Sequence, residues 1–268
     1  MKPAPHTQPP IWPRLAWLSA AVAGFVAPAL TVVVLGIIAP NTPLITFGGP
    51  ILAVGLMGTG MIAAAADGRL WVGVALSQLA GAGLTTLTIA LGLQVPLDLP
   101  SLGLATLIAC ISFAARGALF ARSGADKGWW IAVFVVAGEA AIVLTALAQP
   151  GALPDWLLAL LPAQWAAIAI QSALAGGSSE TASAALIALG GTALATLLVA
   201  WLWPRRWTYL IMFTTWLALS ALVYNSAAPP KPQDGLASAG TKMGQPPHSA
   251  PPPFDQNPNA TPTRPPVL

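Results

Sequence analysis

The chain has 268 residues, of which 56% are hydrophobic and only 7% are charged, and its net charge is +3. A soluble domain carries roughly 25% charged residues, so this composition argues against a water-soluble fold and indicates a membrane protein. The basic residues are scattered between apolar runs and form no dense patch, which argues against nucleic acid as a partner.

Residues 1–14, MKPAPHTQPPIWPR, are Pro-rich and are predicted to form a flexible leader. The first half of the next apolar run is similar to a signal peptide with an APA cleavage site. The run continues through LTVVVLGII, however, and about 24 consecutive apolar residues favour a membrane span that is retained.

Seven more apolar runs follow, each of about 20 residues, and a helix of that length crosses the ~30 Å hydrocarbon layer. They lack the two-residue alternation of a membrane barrel, and the connections between them are rich in turn-forming residues. The sequence therefore predicts an all-α, polytopic transmembrane helix bundle over residues 15–226. Its eight predicted segments are Leu15–Ile38, Leu44–Ala66, Leu70–Leu93, Ser101–Phe120, Trp129–Gln149, Trp156–Ala175, Ala184–Trp203 and Trp207–Ser226.

The positions of the basic residues predict the orientation of the bundle, because cytoplasmic loops of membrane proteins are enriched in Lys and Arg. With a cytoplasmic N-terminus and eight spans, only Arg205 and Arg206 lie outside. If the Pro-containing segment Trp156–Ala175 were re-entrant or interfacial, seven spans would result, these two arginines would move inside and the tail would lie outside. We favour eight spans, in a multi-pass protein of a cell membrane typical of the bacterial inner membrane.

Residues 227–268 are rich in Pro and polar residues and are predicted to be a disordered tail. Its PPKP and PTRP stretches match the polyproline recognition pattern formally. Because such matches arise by chance in any Pro-rich segment, we interpret the tail as an unstructured, solubilising extension.

Glu139 is the outstanding polar residue, because it lies about ten residues from each end of its apolar segment. An acidic group at that depth costs roughly 3 kcal/mol, and the nine Val, Ile, Leu and Phe residues of the segment offset about that amount. In hydrocarbon the carboxyl group must be protonated, paired with a cation or facing water. We therefore expect Glu139 to face the interior of the bundle.

Arg116, near the end of the preceding segment, is the cation nearest to Glu139 in sequence. Arg116 can pair with Glu139 across the hairpin, or it can extend to the lipid headgroups, which is the commoner behaviour. Other polar and small residues share helix faces and are predicted mainly to pack helices together. Trp165 and Trp216, which lie away from predicted helix ends, are also expected to pack inside. The polar candidates are Gln78, Gln164 and Gln171, and the packing candidates are Gly73, Ser77, Gly81, Thr85, Thr192 and Thr196.

No catalytic or cofactor motif is present in the sequence. Cys110 is the only cysteine, and the two histidines, His6 and His248, lie in the Pro-rich ends, so we predict no metal site and no cofactor. We predict a non-catalytic membrane subunit or accessory protein whose partners are the lipid bilayer and other membrane subunits. The alternatives are a proton- or cation-coupled transporter or channel that uses Glu139, and an enzyme that uses acidic loop residues at the membrane surface.

Overall fold

The computed structural model describes residues 11–38, 45–91, 98–124, 127–176, 180–202 and 208–227. The predicted tail beyond residue 227, the first ten residues of the predicted leader, and Arg205 and Arg206 lie outside this part of the chain. The last four residues of the predicted leader, residues 11–14, belong to the first helix.

The described residues form α-helices and no β-strand, which confirms the prediction of an all-α helix bundle. A π-helical turn at Val22–Val26 joins the first two helices into one continuous segment. The helices are α1 (Ile11–Ala21), α2 (Ala27–Ile38), α3 (Ile45–Asp67), α4 (Leu70–Ala90), α5 (Leu99–Gly124), α6 (Gly128–Ala148), α7 (Asp155–Ala159), α8 (Pro162–Leu174), α9 (Glu180–Trp201) and α10 (Thr208–Ala227).

Six helical stretches among the described residues are long enough and apolar enough to cross a membrane. A seventh, Leu210–Ser226 in α10, is apolar but shorter. The six are Arg14–Ile38, Phe47–Asp67, Leu70–Ala90, Leu99–Gly124, Gly128–Ala148 and Glu180–Trp201.

The predicted sixth segment, Trp156–Ala175, is not one helix but two, α7 and α8. Pro162 causes the break, since a proline disfavours the helical conformation in the residue before it. Leu161 is accordingly extended, with φ −94° and ψ 115°. The 13 residues of α8 span only about 20 Å, which is less than the ~30 Å of a hydrocarbon layer. Neither helix can cross a membrane by itself.

The directions of the later helices also differ from the eight-span arrangement. Ser112 of α5 lies 3.5 Å from Thr192 of α9, and further along both helices Arg122 donates a hydrogen bond to the carbonyl oxygen of Ala200. From the first contact to the second, the residue number rises in both helices, so α5 and α9 run parallel. Eight spans would require them to be antiparallel, whereas a re-entrant α7–α8 pair makes them parallel.

α3 is the centre of the bundle and packs against α1, α4, α5, α6 and α8. Almost all of it is buried, and small residues let its neighbours approach closely. A Cβ atom added at Gly73 of α4 would lie 2.5 Å from the carbonyl oxygen of Gly60, and one added at Gly49 would lie 2.6 Å from that of Ala167. These contacts are backbone against backbone and leave no room for a side chain.

The outward faces of the bundle are apolar. Ile38, Trp71 and Trp201 are 76%, 73% and 79% exposed, and α6 exposes most of its length although it is almost wholly apolar. A monomeric soluble protein rarely exposes such continuous apolar surface. Such a surface is typical of helices that contact lipid.

Candidate functional site

Arg116 of α5 and Glu139 of α6 form an ion pair, with Nη1 of the arginine 3.7 Å from Oε1 of the glutamate. Each side chain is only 14% exposed. Of the two arrangements open to Arg116, the structure shows pairing with Glu139. The pair joins the two arms of the α5–α6 hairpin.

The helix boundaries explain why the two side chains meet. The sequence prediction ended the first arm at Phe120, but α5 continues to Gly124. Arg116 therefore lies eight residues before the end of α5, and Glu139 lies eleven residues after the start of α6. At 1.5 Å per residue these depths are about 12 and 16 Å, so the two long side chains are almost level.

The second carboxylate oxygen of Glu139 is bound by the start of α8. The backbone N–H of Ala163 donates a hydrogen bond to Oε2 of Glu139, with an N···O distance of 3.2 Å. The first N–H groups of a helix have no partner within that helix, and the positive end of the helix dipole favours an anion. Glu139 thus caps α8 from a neighbouring helix and links α5, α6 and α8.

Two tryptophans bind the carbonyl groups exposed by the break between α7 and α8. Nε1 of Trp165 donates to the carbonyl oxygen of Ala159 at 2.8 Å, and Nε1 of Trp216 donates to that of Leu160 at 3.2 Å. Trp165 is fully buried, as expected for a packing residue. The sequence analysis missed the hydrogen-bonding role of both indoles, and the signal for it was the Leu-Pro step at 161–162, which predicts unpaired backbone groups.

A cavity of about 450 Å³ lies beside the ion pair. Its walls come from α5, α6, the α7–α8 junction, α9 and α10, and apart from Arg116, Glu139, Thr192, Thr196 and Trp216 they are apolar. The two threonine hydroxyls donate to carbonyl oxygens of their own helix. Nη2 of Arg116 is buried and has no hydrogen-bond partner among the described residues.

The predicted glutamines do not gather at this cavity. None of Gln78, Gln164 and Gln171 lines it. Gln171 instead packs against α3, where a Cβ added at Gly49 would lie 2.7 Å from the Cβ of Gln171. The structure therefore brings together Arg116 and Glu139 but not the three glutamines.

Four of the six predicted packing residues, Gly73, Ser77, Gly81 and Thr192, lie at helix contacts. On α4, Gly73, Ser77 and Gly81 are buried and face α3, whereas Thr85 is half-buried. On α9, Thr192 and Thr196 are buried, and Thr192 reaches Ser112 of α5. All of the threonines named here donate to their own helix backbone, so they pack as compact groups whose polarity is already satisfied.

No family model matches the chain, and no curated protein or solved structure is detectably similar to it. Within the described part of the chain, no three His, Cys, Asp or Glu residues come together in a way that could hold a metal ion. The chemistry of the site therefore has to be interpreted from the ion pair, the broken helix and the cavity between them.

Proposed function

We propose that the chain is a multi-pass membrane protein without catalytic activity, which acts as a subunit or accessory component of a membrane assembly. The observation that carries this proposal is that both oxygens of the Glu139 carboxylate contact groups of its own chain. One oxygen faces Arg116 and the other accepts the Ala163 N–H. A carboxylate held in this way serves to fix helices, since removing Arg116 would leave the buried charge of Glu139 unpaired.

The proposed arrangement in the membrane is seven spans with α7–α8 as a re-entrant pair and the N-terminus in the cytoplasm. The parallel contacts between α5 and α9 support it. In this arrangement Arg205 and Arg206, which follow α9 in sequence, lie on the same side as Arg69 and Lys127. The positive-inside rule is then satisfied by every short loop, which the eight-span arrangement does not achieve. We place the protein in a cell membrane of the bacterial inner-membrane type.

Topology can be tested with reporter fusions in the intact chain. A reporter placed after Arg206 is expected on the cytoplasmic side, and one placed after Asn225 on the opposite side. A non-cytoplasmic signal at Arg206 together with a cytoplasmic signal at Asn225 would restore the eight-span arrangement.

The structural role of Glu139, as opposed to a role in ion transport, can be tested by reconstitution. The purified chain in lipid vesicles is expected to pass protons and monovalent cations no faster than protein-free vesicles, as measured with an entrapped pH dye and an ion-selective electrode. The variant Glu139→Gln is expected to lose thermal stability in detergent without changing that background. A flux that depends on the wild-type protein would contradict the proposal.

A proton- or cation-coupled transporter is the second candidate, and the cavity beside Glu139 is the observation that favours it. Ionisable groups inside membrane proteins often mark ion pathways. Under this reading Glu139→Gln abolishes flux in vesicles while the protein remains folded. The two candidates therefore predict opposite effects of one substitution, namely loss of stability without flux, or loss of flux without unfolding.

A further inference from the structure

Three properties of the cavity beside the ion pair indicate which class of ligand it would bind. Its volume is about 450 Å³, which falls within the roughly 300–1,000 Å³ typical of small-molecule sites. Its walls are mostly apolar side chains such as Leu119, Val135 and Phe213. Among the described residues, the ionisable groups in the wall are Arg116 and Glu139, which neutralise each other.

Arg116, which lines this cavity, has a buried hydrogen-bond donor without an acceptor in the described part of the chain. Nη2 of Arg116 is buried without an acceptor among the described residues, whereas Trp216, Thr192 and Thr196 donate to backbone carbonyls. A buried donor without an acceptor costs about 1–3 kcal/mol, and more for a charged group. A ligand that supplies an acceptor here therefore removes an existing penalty.

The charge balance selects against an ionic ligand. An anion or a cation added beside a neutral ion pair would leave a net charge in an apolar surrounding, which is costly. An uncharged acceptor, such as a carbonyl oxygen, can bind Nη2 without adding a charge to the ion pair. A diacyl phospholipid also carries carbonyl groups, and the competition experiment below distinguishes it from a small ligand.

We propose that this cavity binds a small, uncharged and mostly apolar carbonyl compound, whose oxygen accepts a hydrogen bond from Nη2 of Arg116. Nη2 is covered in the structure, so binding requires the Arg116 side chain to shift until Nη2 reaches the cavity. The inference does not depend on the proposed structural role of the ion pair.

Photocrosslinking with benzophenone tests the site directly, because benzophenone is itself an uncharged aromatic ketone that inserts into nearby C–H bonds. The purified full chain in detergent is irradiated with the probe, and adducts are located by peptide mass spectrometry. We expect adducts at Met212, which lines the cavity. A second, apolar cavity of about 220 Å³ near Ile51 and Leu144 is lined by no ionisable residue of the described chain and serves as an internal control.

A competition experiment distinguishes binding through the hydrogen bond from simple partitioning of an apolar compound into the cavity. Cyclododecanone and cyclododecane have the same ring and differ by one carbonyl oxygen. The ketone is expected to suppress the Met212 adduct at a concentration at least about tenfold lower than the alkane, as one hydrogen bond to a charged donor supports. At the control cavity the two competitors are expected to be equivalent.

The double variant Arg116→Met/Glu139→Gln removes the donor and leaves no unpaired charge. Its Met212 adduct is expected to lose the preference for the ketone, while adducts near Ile51 remain as in the wild type and report that the bundle is folded. If this variant does not fold, the competition in the wild-type protein decides alone. Equal competition by ketone and alkane, competition by phosphatidylcholine instead, or an unmodified Met212 would overturn the proposal.

Discussion

The centre of the bundle and the α6–α8 junction are stabilised in different ways. α3 is almost completely buried, and its close contacts with α4 and α5 are made by glycines such as Gly73 and Gly117 against backbone carbonyls. The junction contains an interrupted helix whose free backbone groups are bound by a carboxylate and two indoles. One region depends on shape and the other on charge and hydrogen bonds.

The difference follows from what each backbone leaves unpaired. A continuous helix such as α3, whose one proline, Pro50, lies near its start, satisfies nearly all of its own peptide groups, so mainly packing is needed to hold it inside lipid. A helix broken at Pro162 exposes peptide groups, and in an apolar surrounding these must be satisfied by side chains. The buried ion pair is therefore found at the break rather than at the centre.

The largest effect is expected from Arg116→Met. This change leaves the Glu139 carboxylate buried without its cation and should lower the free energy of unfolding by about 3–5 kcal/mol, measured by SDS titration in detergent micelles. Arg69→Met is the matched control, because the Arg69 side chain is 79% exposed, and it should change stability by less than about 0.5 kcal/mol. Equal losses in both variants would show that the ion pair has no special role.

Packing at the centre is tested by Gly73→Ala and Gly117→Ala. The added methyl group would lie 2.5 Å from the carbonyl oxygen of Gly60 in the first variant, and in the second it would collide with the carbonyl oxygen of Met61. Each should cost about 1–3 kcal/mol through forced helix displacement, by the same titration. Gly138→Ala, which meets no atom within 4 Å, is the control and should be neutral or slightly stabilising.

A smaller effect is expected from Trp165→Phe. Phenylalanine retains most of the apolar volume but leaves the carbonyl oxygen of Ala159 without its donor, which should cost about 1–2 kcal/mol in the same assay. Trp201→Phe, at a side chain that is 79% exposed, should cost much less. If the two substitutions were equal, the hydrogen bond at the break would be unimportant.

The smallest effect is expected from Thr192→Val, which keeps the shape of the side chain and removes its hydroxyl. The hydroxyl already donates to Ala188, and its contact with Ser112 is long, at 3.5 Å. The loss should be about 0.6 kcal/mol, the average for polar contacts between membrane helices. Thr86→Val, at an exposed position of α4, is the control. A loss above about 2 kcal/mol would contradict the view that this contact is packing.

The helix bundle was predictable from sequence because apolar runs of about 20 residues determine helices in lipid. Glu139 could be identified for the same reason, since it interrupts such a run. The exact ends of the helices were harder to predict from the sequence. Extending α5 from Phe120 to Gly124 places Arg116 about 6 Å deeper than predicted. Arg116 then lies almost level with Glu139, which allows the two side chains to pair.

The partners of the break could not be derived from spacing alone. Pro162 indicates where a helix can be interrupted, but Ala163 and Trp216 meet Glu139 and Leu160 only through tertiary packing. The glutamines show that residues on a shared helix face do not necessarily line the same cavity. Whether the bundle transports, assembles or binds a ligand depends on these contacts.

A double-mutant cycle on Arg116 and Glu139 tests the central claim most directly. The free energies of unfolding of wild type, Arg116→Met, Glu139→Gln and the double variant give the coupling energy between the two side chains. A mutually dependent pair predicts that the double variant is more stable than the sum of the single losses implies, by at least about 1 kcal/mol. Additive losses would show that the two residues act independently and would contradict the account.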